Sequence, residues 1–398
     1  MKTLPPYSEL AQLWKLDNSI VFLNHGSFGA TPIAILEKQN KLRAQMESEP
    51  VRFMVREYYD LYQKNIQRLA KFIGANDEDM VFVKNATMGV NTILHSFPFE
   101  PGDEILIHSH AYGACVNTIR WYAERLKIKV NCAEVPFPIA DAGEVTQAYL
   151  TALTPRTKLA LVDHITSQTG IIYPVKEIIS NLQNKGVEVL IDGAHAPGQV
   201  NLNLNELAAD YYTGNCHKWI CSPKGSAFLY VRKDKQKKIN PLQISHKFDA
   251  PVDTEKKWQG NFFWPGTDDF TAYCCVGESI DYFEKLIPGG WKKIMQINSE
   301  GTKAGRQIIA KKIGATLPAP DDMIANLAVI PLGNGNYPEY GFNFIHELQQ
   351  KLFEDYKIEV PIITFGCLNP QSYVRIAFQL YNDVRQVEYL AEALSVLQ

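Results

Sequence analysis

The sequence has few cysteines and no long apolar segment. Seven cysteines are spread over 398 residues, and none forms a C-x-x-C pair. A sparse, odd-numbered set of this kind favours reduced thiols over a disulfide framework. No window approaches the length of a transmembrane helix, and the N-terminal stretch MKTLPPYSELAQLWKL has prolines and charges where a signal peptide needs an apolar run. We therefore expect a cytoplasmic protein.

An excess of charge of one sign is also absent. Lysine and arginine number 40 against 43 aspartates and glutamates, for a formal net charge of -3. Without an overall basic field, neither nucleic acid nor an anionic membrane is an expected partner. Hydrophobic residues make up 46% of the chain, which is enough for a large core. We expect a globular protein that binds a small molecule.

Short apolar runs alternate with amphipathic stretches along the first two thirds of the chain. The runs DMVFVKN, DEILIHS, KVNCAEVP, KLALVDHI, VEVLIDGA and SAFLYVRK are typical of strands, and several are almost continuously hydrophobic, as strands covered on both faces are. Between them, ATMGVNTILHSF, YGACVNTIRWYAERLK, VTQAYLTAL and VKEIISNLQNKG carry apolar residues at helical spacing. This order predicts an α/β fold with a mostly parallel, doubly wound sheet that binds its ligand at the carboxyl ends of the strands.

The pattern changes near residue 266, which predicts a second and smaller domain. A long helical stretch is followed by NLAVIPL, FIHELQQKLFEDY, IEVPIITF, YVRIAFQLY and DVRQVEYLAEALSVL. We expect three parts: an N-terminal segment (1–20) that packs with the small domain, a large ligand-binding domain (21–265) and a small C-terminal α/β domain (266–398).

Three polar residues follow predicted strands in the pattern that a pyridoxal phosphate site needs. Asp192 and His195 end the strand in VEVLIDGAHAPGQV, and Lys218 follows one strand connection later. The carboxylate of Asp192 keeps a pyridine nitrogen protonated, while the Lys218 amine bonds to the aldehyde carbon of the cofactor. In VKNATMGVNTIL, a small-residue turn leads into a helix whose first N–H groups, near Thr87 and Met88, can hold a phosphate. Tyr112, at the end of the following strand, can stack on a flat ring.

The segments LIDGAHAPG, TGNCHKWICSPKGSAFLYVR, NATMGVN and VFLNHGSFGATP resemble the class V aminotransferase superfamily, whose members are pyridoxal-phosphate enzymes of fold type I. They are most similar to its isopenicillin N epimerase-like branch, which includes C–S lyases. The resemblance runs from about residue 20 to the end of the chain. It implies a homodimer, pyridoxal 5'-phosphate as cofactor and an amino-acid-type substrate.

Matched residue by residue, the resemblance implies roles within this site. Lys218 is the Schiff-base lysine, Asp192 the partner of the ring nitrogen and His195 the neighbour of the 3-oxygen. The implied phosphate ligands are Thr87, Met88, Asn215, His217 and, from the other subunit, Thr267 of the Gly266-Thr267 pair. Many relatives have serine where Asn215 stands, but an amide also donates to phosphate. Tyr112 stacks on the ring.

Substrate contacts are expected from Arg375 and from the N-terminal segments. Arg375 matches the arginine that binds the α-carboxylate, for which its fork of donors is suited. The substrate side chain is expected near Asn24, His25 and Arg52. His25 alone is more often a hydrogen-bonded structural histidine, and Arg52 is ordinarily part of a solvated helix face.

The reaction is left open by the sequence. We favour an epimerase-like activity, with a C–S β-lyase, a cysteine desulfurase-like enzyme or an aminotransferase as alternatives. A desulfurase needs a thiolate on a mobile loop, for which Cys367, eight residues before Arg375, is the candidate. A remote alternative is a zinc hydrolase, because the carboxylates and imidazoles at adjacent strand ends are zinc ligands; these are Asp163, His164, Asp192, His195 and His217.

Overall fold

A computed structural model describes residues 4–246, 248, 257–333, 339–340, 345–365 and 371–397. No helix in these ranges is long and apolar enough to cross a membrane. The strands are, in chain order, β1 (Val21–Phe22), β2 (Met80–Val83), β3 (Glu104–His108), β4 (Lys129–Ala133), β5 (Thr157–Asp163), β6 (Glu188–Asp192), β7 (Tyr211–Asn215), β8 (Ala227–Val231), β9 (Leu327–Pro331), β10 (Glu339–Tyr340), β11 (Ile345–His346), β12 (Ile358–Glu359), β13 (Ile362–Phe365) and β14 (Gln371–Ala377).

The helices pack around these strands. They are α1 (His25–Phe28), α2 (Ile33–Ser48), α3 (Tyr58–Ile73), α4 (Ala86–Ser96), α5 (Gly113–Leu126), α6 (Ala142–Ala152), α7 (Val175–Gln183), α8 (Leu204–Leu207), α9 (Lys257–Phe263), α10 (Val276–Leu286), α11 (Gly290–Ile313), α12 (Glu347–Tyr356) and α13 (Val384–Leu397). A wider helical turn, Arg52–Glu57, leads into α3, and short 3-10 turns lie at Glu9–Leu13, Asp77–Asp79, Lys233–Lys238, Tyr273–Cys275 and Asp321–Met323.

The seven-stranded central sheet has the order β2-β8-β7-β6-β5-β3-β4. The strands β7, β6, β5, β3 and β4 run parallel, and β8 runs antiparallel to both of its neighbours. Most of these strands are buried on both faces, which explains their nearly continuous apolar sequences. The predicted mostly parallel sheet is confirmed.

The strand β7, which leads to Lys218, is not among the strands predicted from the sequence. Its last two residues, Gly214 and Asn215, are more typical of turns than of strands. The packing explains this composition: Thr213 donates from its hydroxyl to the carbonyl of Phe228 over 2.8 Å, and a β-carbon on Gly214 would lie 2.8 Å from the Phe228 ring. These small polar residues let β7 lie between β6 and β8.

A second sheet of the order β13-β14-β9 is antiparallel and packs against α11. The N-terminal part of the chain is attached to this C-terminal region, since β1 pairs with β12 and Ser8 bonds to the backbone of Leu380 and Tyr381. Arg375, on β14, points from this sheet toward the end of the central sheet, where it contacts Ser167. The exact boundaries at residues 20 and 265 stay predictions.

Candidate active site

A cavity at the carboxyl ends of β5, β6 and β7 contains most of the predicted site residues. It has a volume of about 230 Å³ and is bordered by the first turn of α4. The predicted residues that line it are Thr87, Tyr112, Asp192, His195, Asn215, His217 and Lys218. The lining residues that were not predicted for the cofactor site are Ser27, Phe28, Asn85, Ala86, Asp163, Ile165, Ser167 and Ala194.

Lys218 lies in the turn after β7, with its amine directed at His195. The Nζ atom is 2.9 Å from His195 Nε2. Burial lowers the pKa of Lys218 to about 8, and the nearby charge of Arg375 acts in the same direction, while Asp192 and Asp163 oppose the shift. A lysine amine with such a pKa is a far better nucleophile and base near neutral pH than an exposed one.

Asp192 ends β6 and is almost fully buried. Its Oδ1 accepts from the Ala194 N–H over 3.0 Å, and its Oδ2 accepts from the Cys115 thiol over 3.4 Å. Burial, followed by the neighbouring charge of Asp163, raises the pKa of Asp192 to about 6. Among the described residues no cation forms an ion pair with this carboxylate, so it is available to a protonated ring nitrogen. The positive charge of such a nitrogen would in turn keep the carboxylate ionised.

Asp163 lies beside Asp192 because the two residues pair in register on β5 and β6. The His108 Nε2 atom is 3.1 Å from its Oδ1, and the Tyr173 hydroxyl is 3.2 Å from His108 Nδ1. Burial raises the pKa of Asp163 well above its usual range and lowers that of His108 to about 3. Asp163 is predicted from the sequence only as a zinc ligand, although its position at a strand end, in line with Asp192, is a signal for a place in this site.

The first turn of α4 has one N–H group left for a ligand. The Asn215 side chain accepts from the Ala86 N–H over 2.9 Å, and Asn85 caps the helix by accepting from the Met88 N–H over 2.8 Å. Within the described part of the chain, the Thr87 N–H between them has no partner and borders the cavity. Since an unpaired N–H at a helix start attracts anions, this turn fits a phosphate group.

Met88 does not line the cavity, and its N–H is already bonded to Asn85. Its role as a phosphate ligand stays a prediction. His217 lines the cavity, but its Nδ1 donates to the Ser226 carbonyl over 2.9 Å, and burial lowers its pKa to about 4. Its Nε2 therefore donates to a phosphate only once the anion has raised that pKa and protonated the ring.

Arg375 is a buried cation without a counter-ion in the described residues. Its guanidinium donates to the Ser167 carbonyl over 2.5 Å and to the Ser27 hydroxyl over 2.9 Å, and its buried Nε has no hydrogen-bond partner in the part of the chain that the structure describes. Burial lowers the pKa of Arg375 to about 10. Because an unpaired buried charge is costly, the geometry fits a site that is completed by an anion such as a carboxylate.

Tyr112 and Thr267 are more exposed than the residues described above. Tyr112 caps α5 at the edge of the cavity, is 42% exposed, and has a hydroxyl without a hydrogen-bond partner among the described residues. Thr267 is exposed at the surface and does not line the cavity of its own chain. The stacking role of Tyr112 and the phosphate role of Thr267 stay predictions.

The three predicted substrate contacts of the N-terminal half lie outside the cavity. His25 is fully buried, and its nitrogens lie 2.8 Å from the Tyr381 hydroxyl and 3.0 Å from the Lys218 carbonyl. Asn24 accepts from the Ser27 hydroxyl over 2.6 Å, and thereby orients a contact of Arg375. Arg52 is exposed and pairs with Glu57 over 3.3 Å. Their substrate contacts stay predictions, while these positions suit support of the site.

Cys367, the desulfurase candidate, lies outside the described residues. The zinc alternative finds no support in the geometry, because in the described ranges no group of three or more His, Cys, Asp and Glu side chains is arranged to hold a metal ion. Of the five candidate ligands, Asp163 is bonded to His108, His164 to the Tyr212 hydroxyl, Asp192 and His217 to the backbone, and His195 to Lys218.

Comparisons with known proteins identify the family and the fold of this chain. The family model of class-V aminotransferases matches residues 27–390. The isopenicillin N epimerase of Streptomyces clavuligerus is 29% identical over 96% of both chains, and a probable chloroplastic L-cysteine desulfhydrase of Arabidopsis thaliana is 29% identical over 96% of this chain and 83% of that protein. Among solved structures, a mutant of C-DES with glycine covalently linked to its PLP cofactor superposes with a TM-score of 0.82 at 20% identity, over 98% of this chain and 99% of the other. The predicted fold class is thereby confirmed.

Proposed function

Because this chain belongs to the class-V aminotransferase family, we propose that Lys218 acts as the base that removes the α-proton of an amino-acid substrate bound in the cavity. The chain is a pyridoxal-phosphate-dependent enzyme that acts on an amino-acid-type substrate. When bound, the cofactor supplies an electron sink for the charge left on the α-carbon. The remaining steps fall to the side chains of the cavity.

The residues present fit the cofactor. Thr87, whose N–H has no partner among the described residues, and Asn215, through its amide nitrogen, would hold the phosphate. Asp192 offers a buried carboxylate to the ring nitrogen, and His195 lies beside the amine of Lys218, which would carry the cofactor covalently. These assignments rest on the matched motifs and on the convergence of the groups in one cavity.

The Arg375 guanidinium, which has no counter-ion among the described residues, is the observation that carries the proposal. It supports binding of the substrate α-carboxylate in two-pronged geometry, close to the groups that hold Lys218. Ser27 and Ser167 keep the guanidinium in place. The lowered pKa of Lys218 lets its free amine take the α-proton near neutral pH.

After the proton has left, we propose β-elimination of a sulfur group as the first candidate outcome. Lys218 can pass the proton on to the leaving sulfur, so elimination needs one acid–base group. The other titratable side chains in the described cavity already have partners: Asp163 is bonded to His108, His195 to Lys218 and His217 to the Ser226 carbonyl, and Asp192 is proposed for the ring nitrogen. Desulfhydrases are as similar to this chain as the epimerases are.

Epimerisation, the outcome that the sequence analysis favours, is the second candidate. It requires a proton donor on the opposite face from Lys218. The unbonded Tyr112 hydroxyl at the cavity edge supports this alternative, since it is the one remaining titratable group in the described lining.

One experiment separates the two outcomes. The enzyme is incubated in deuterated water with S-substituted cysteines and with amino acids that carry no β-leaving group, and products are followed by mass spectrometry and chiral chromatography. Pyruvate, ammonia and a released thiol would establish elimination. Deuterium at the α-carbon with inversion would establish epimerisation, and it should then depend on Tyr112. Without α-deuterium or elimination product from any substrate, the proposed proton step is wrong.

We also propose a cytoplasmic two-fold dimer. The exposed Thr267 outside its own cavity and the unbonded Thr87 N–H support a phosphate site that the second subunit completes. Thr267→Val should weaken retention of the cofactor without changing the sedimentation coefficient. A monomer with full activity at assay concentration contradicts this arrangement.

A further inference from the structure

Trp219 lies between the two imidazoles that hold Lys218. Its indole packs on His25 with 4.7 Å between ring centroids, and its Nε1 lies 3.4 Å from His195 Nδ1. The other ring nitrogen of His195, Nε2, is 2.9 Å from Lys218 Nζ. We propose that Trp219 is a positioning residue that fixes the tautomer of His195 and thereby favours the uncharged form of the Lys218 amine. This inference rests on the proposed function for the use of Lys218 as a base.

The hydrogen-bond inventory of the three side chains leads to this conclusion. The indole N–H only donates, so His195 Nδ1 must accept. His195 is fully buried, and its pKa lies well below the usual value because of burial, so the ring is neutral. A neutral imidazole has one donor nitrogen, which is then Nε2. The group opposite Nε2–H must accept a hydrogen bond, and Lys218 Nζ accepts only as an uncharged amine.

A protonated Lys218 would conflict with this arrangement. An ammonium group has three donors and no lone pair, so His195 Nε2 would have to accept from it. The ring proton would then move to Nδ1, where it would face the indole N–H of Trp219 at 3.4 Å. Two opposed donors in a buried site lose a hydrogen bond and leave a polar group unsatisfied. The indole therefore disfavours the charged amine.

His25 holds Trp219 and the backbone of Lys218 in position by the same logic. The Lys218 carbonyl can only accept, so His25 Nε2 carries the proton and donates to it over 3.0 Å. His25 Nδ1 then accepts from the Tyr381 hydroxyl over 2.8 Å. Burial lowers the pKa of His25 to about 3, which keeps this tautomer neutral. The peptide between Lys218 and Trp219 is thus attached to the C-terminal region through Tyr381.

The other charges around the pair do not determine the state of the amine by themselves. Arg375 disfavours the ammonium, whereas the carboxylates and the thiol favour it. The titratable groups that face Lys218 or His195 are Arg375 on β14, Asp192 on β6, Asp163 on β5, Cys115 on α5, Tyr112 before α5, His217 after β7 and His25 on α1. Trp219 adds a directional requirement that these charges lack.

The test measures the amine itself. Full-length chain freed of cofactor is labelled with trace acetic anhydride between pH 6 and 11, and the labelled fraction of Lys218 is determined by peptide mass spectrometry, with the exposed Lys233 as internal standard. Trp219→Phe removes the N–H and keeps an aromatic ring. We expect the labelling midpoint of Lys218 to move to higher pH and its rate at pH 7 to fall by about three- to tenfold.

A matched control is Trp291→Phe, which removes a buried indole N–H bonded to the Ile280 carbonyl, away from the cavity. It should leave the midpoint unchanged. In a His195→Gln background, Trp219→Phe should not shift the labelling midpoint of Lys218 further, because glutamine has no imidazole tautomer for the indole to select. An unchanged midpoint in the single variant, or an equal shift in both backgrounds, overturns the proposal.

A second measurement needs no variant. Nitrogen-15 NMR of histidine-labelled wild-type chain should find the His195 resonances of an imidazole with a bare Nδ1 and a protonated Nε2; the opposite tautomer contradicts the proposal even if the Trp219 variant fails to fold. Both measurements are independent of turnover. If Lys218→Ala retained turnover, the proposed function would fail, while the tautomer result would stand.

Discussion

The two ends of strand β6 carry carboxylates of opposite character. Glu188, at its start, accepts from Lys238 over 2.8 Å, from the Tyr211 hydroxyl over 2.5 Å, and lies 3.0 Å from Lys235 Nζ. Asp192, at its end, has a thiol and a backbone N–H as donors and no ion pair among the described residues. The two side chains lie on the same face, four residues apart in a strand.

The difference appears in their pKa values. Burial pushes the pKa of Glu188 upward, but the bonds from Lys238, Tyr211 and Lys235 outweigh it and leave this pKa lowered. Burial and Asp163 raise the pKa of Asp192 to about 6. At the amino end of the strand, the Glu188 carboxylate therefore forms ion pairs that stabilise the fold. At the carboxyl end, the Asp192 carboxylate stays available for a ligand. In sheets of this type, ligands bind at that end.

At the carboxyl end of the sheet, the largest loss of activity is expected from a substitution of Lys218. Lys218→Ala should lower turnover by about 10³-fold or more, because it removes both the nucleophile and the base. It should also abolish the visible absorbance of covalently held cofactor. Lys233→Ala, at an exposed position, is the control. Borohydride reduction followed by peptide mapping should mark Lys218, and a mark on a different lysine would refute its assignment.

Asp192→Asn should give the next largest loss, about 10²- to 10³-fold in turnover, because the amide cannot keep a ring nitrogen protonated. Stability of the cofactor-free chain should change in the opposite direction. The folded pKa of about 6 lies above the ordinary aspartate value of 3.8, so the wild type loses stability as pH rises through this window. Relative to the wild type, the free energy of unfolding of the variant should be higher at pH 7 than at pH 4 by about 1–3 kcal/mol, as measured by urea unfolding.

Arg375→Lys should lower kcat/KM by about 10- to 100-fold, mainly through KM, because an ammonium cannot reproduce two-pronged binding of a carboxylate. Steady-state kinetics with the substrate found in the deuterium experiment checks this. The effect should be smaller on an amine substrate that lacks the carboxylate. Equal losses on both substrates would assign Arg375 to the fold rather than to the substrate.

Glu188→Gln should leave kcat and KM unchanged and lower the free energy of unfolding by about 1 kcal/mol at pH 7. Because the folded pKa of Glu188 is lowered, its contribution to stability is present above the ordinary glutamate value of 4.5 and is lost as pH falls through the folded pKa. Wild type and variant should therefore converge in acid unfolding. A loss of activity in this variant would contradict the division between the two strand ends.

Several parts of the site follow from short segments of sequence. Strands such as Glu188–Asp192 are nearly continuous apolar runs, and Lys218 lies in a specific motif, so fold class, cofactor and family could be predicted before any contact was known. The strand β7 was missed because its sequence meets the needs of packing against Phe228: Thr213 bonds to the Phe228 carbonyl, and the Phe228 ring leaves no room for a side chain at Gly214. Local composition does not report such a neighbour.

What the sequence by itself determined was the alternation of strands and helices and the chemical groups at the strand ends, because both depend on neighbouring residues. Only the tertiary structure decided which groups meet. His25 bonds Tyr381, 356 residues away, and Arg375 bonds Ser167 across 208 residues. Asp163 lies beside Asp192 through strand register. Such contacts follow from strand order and packing, which bring distant segments within hydrogen-bonding distance and bury them, and burial shifts the pKa values on which the chemistry depends.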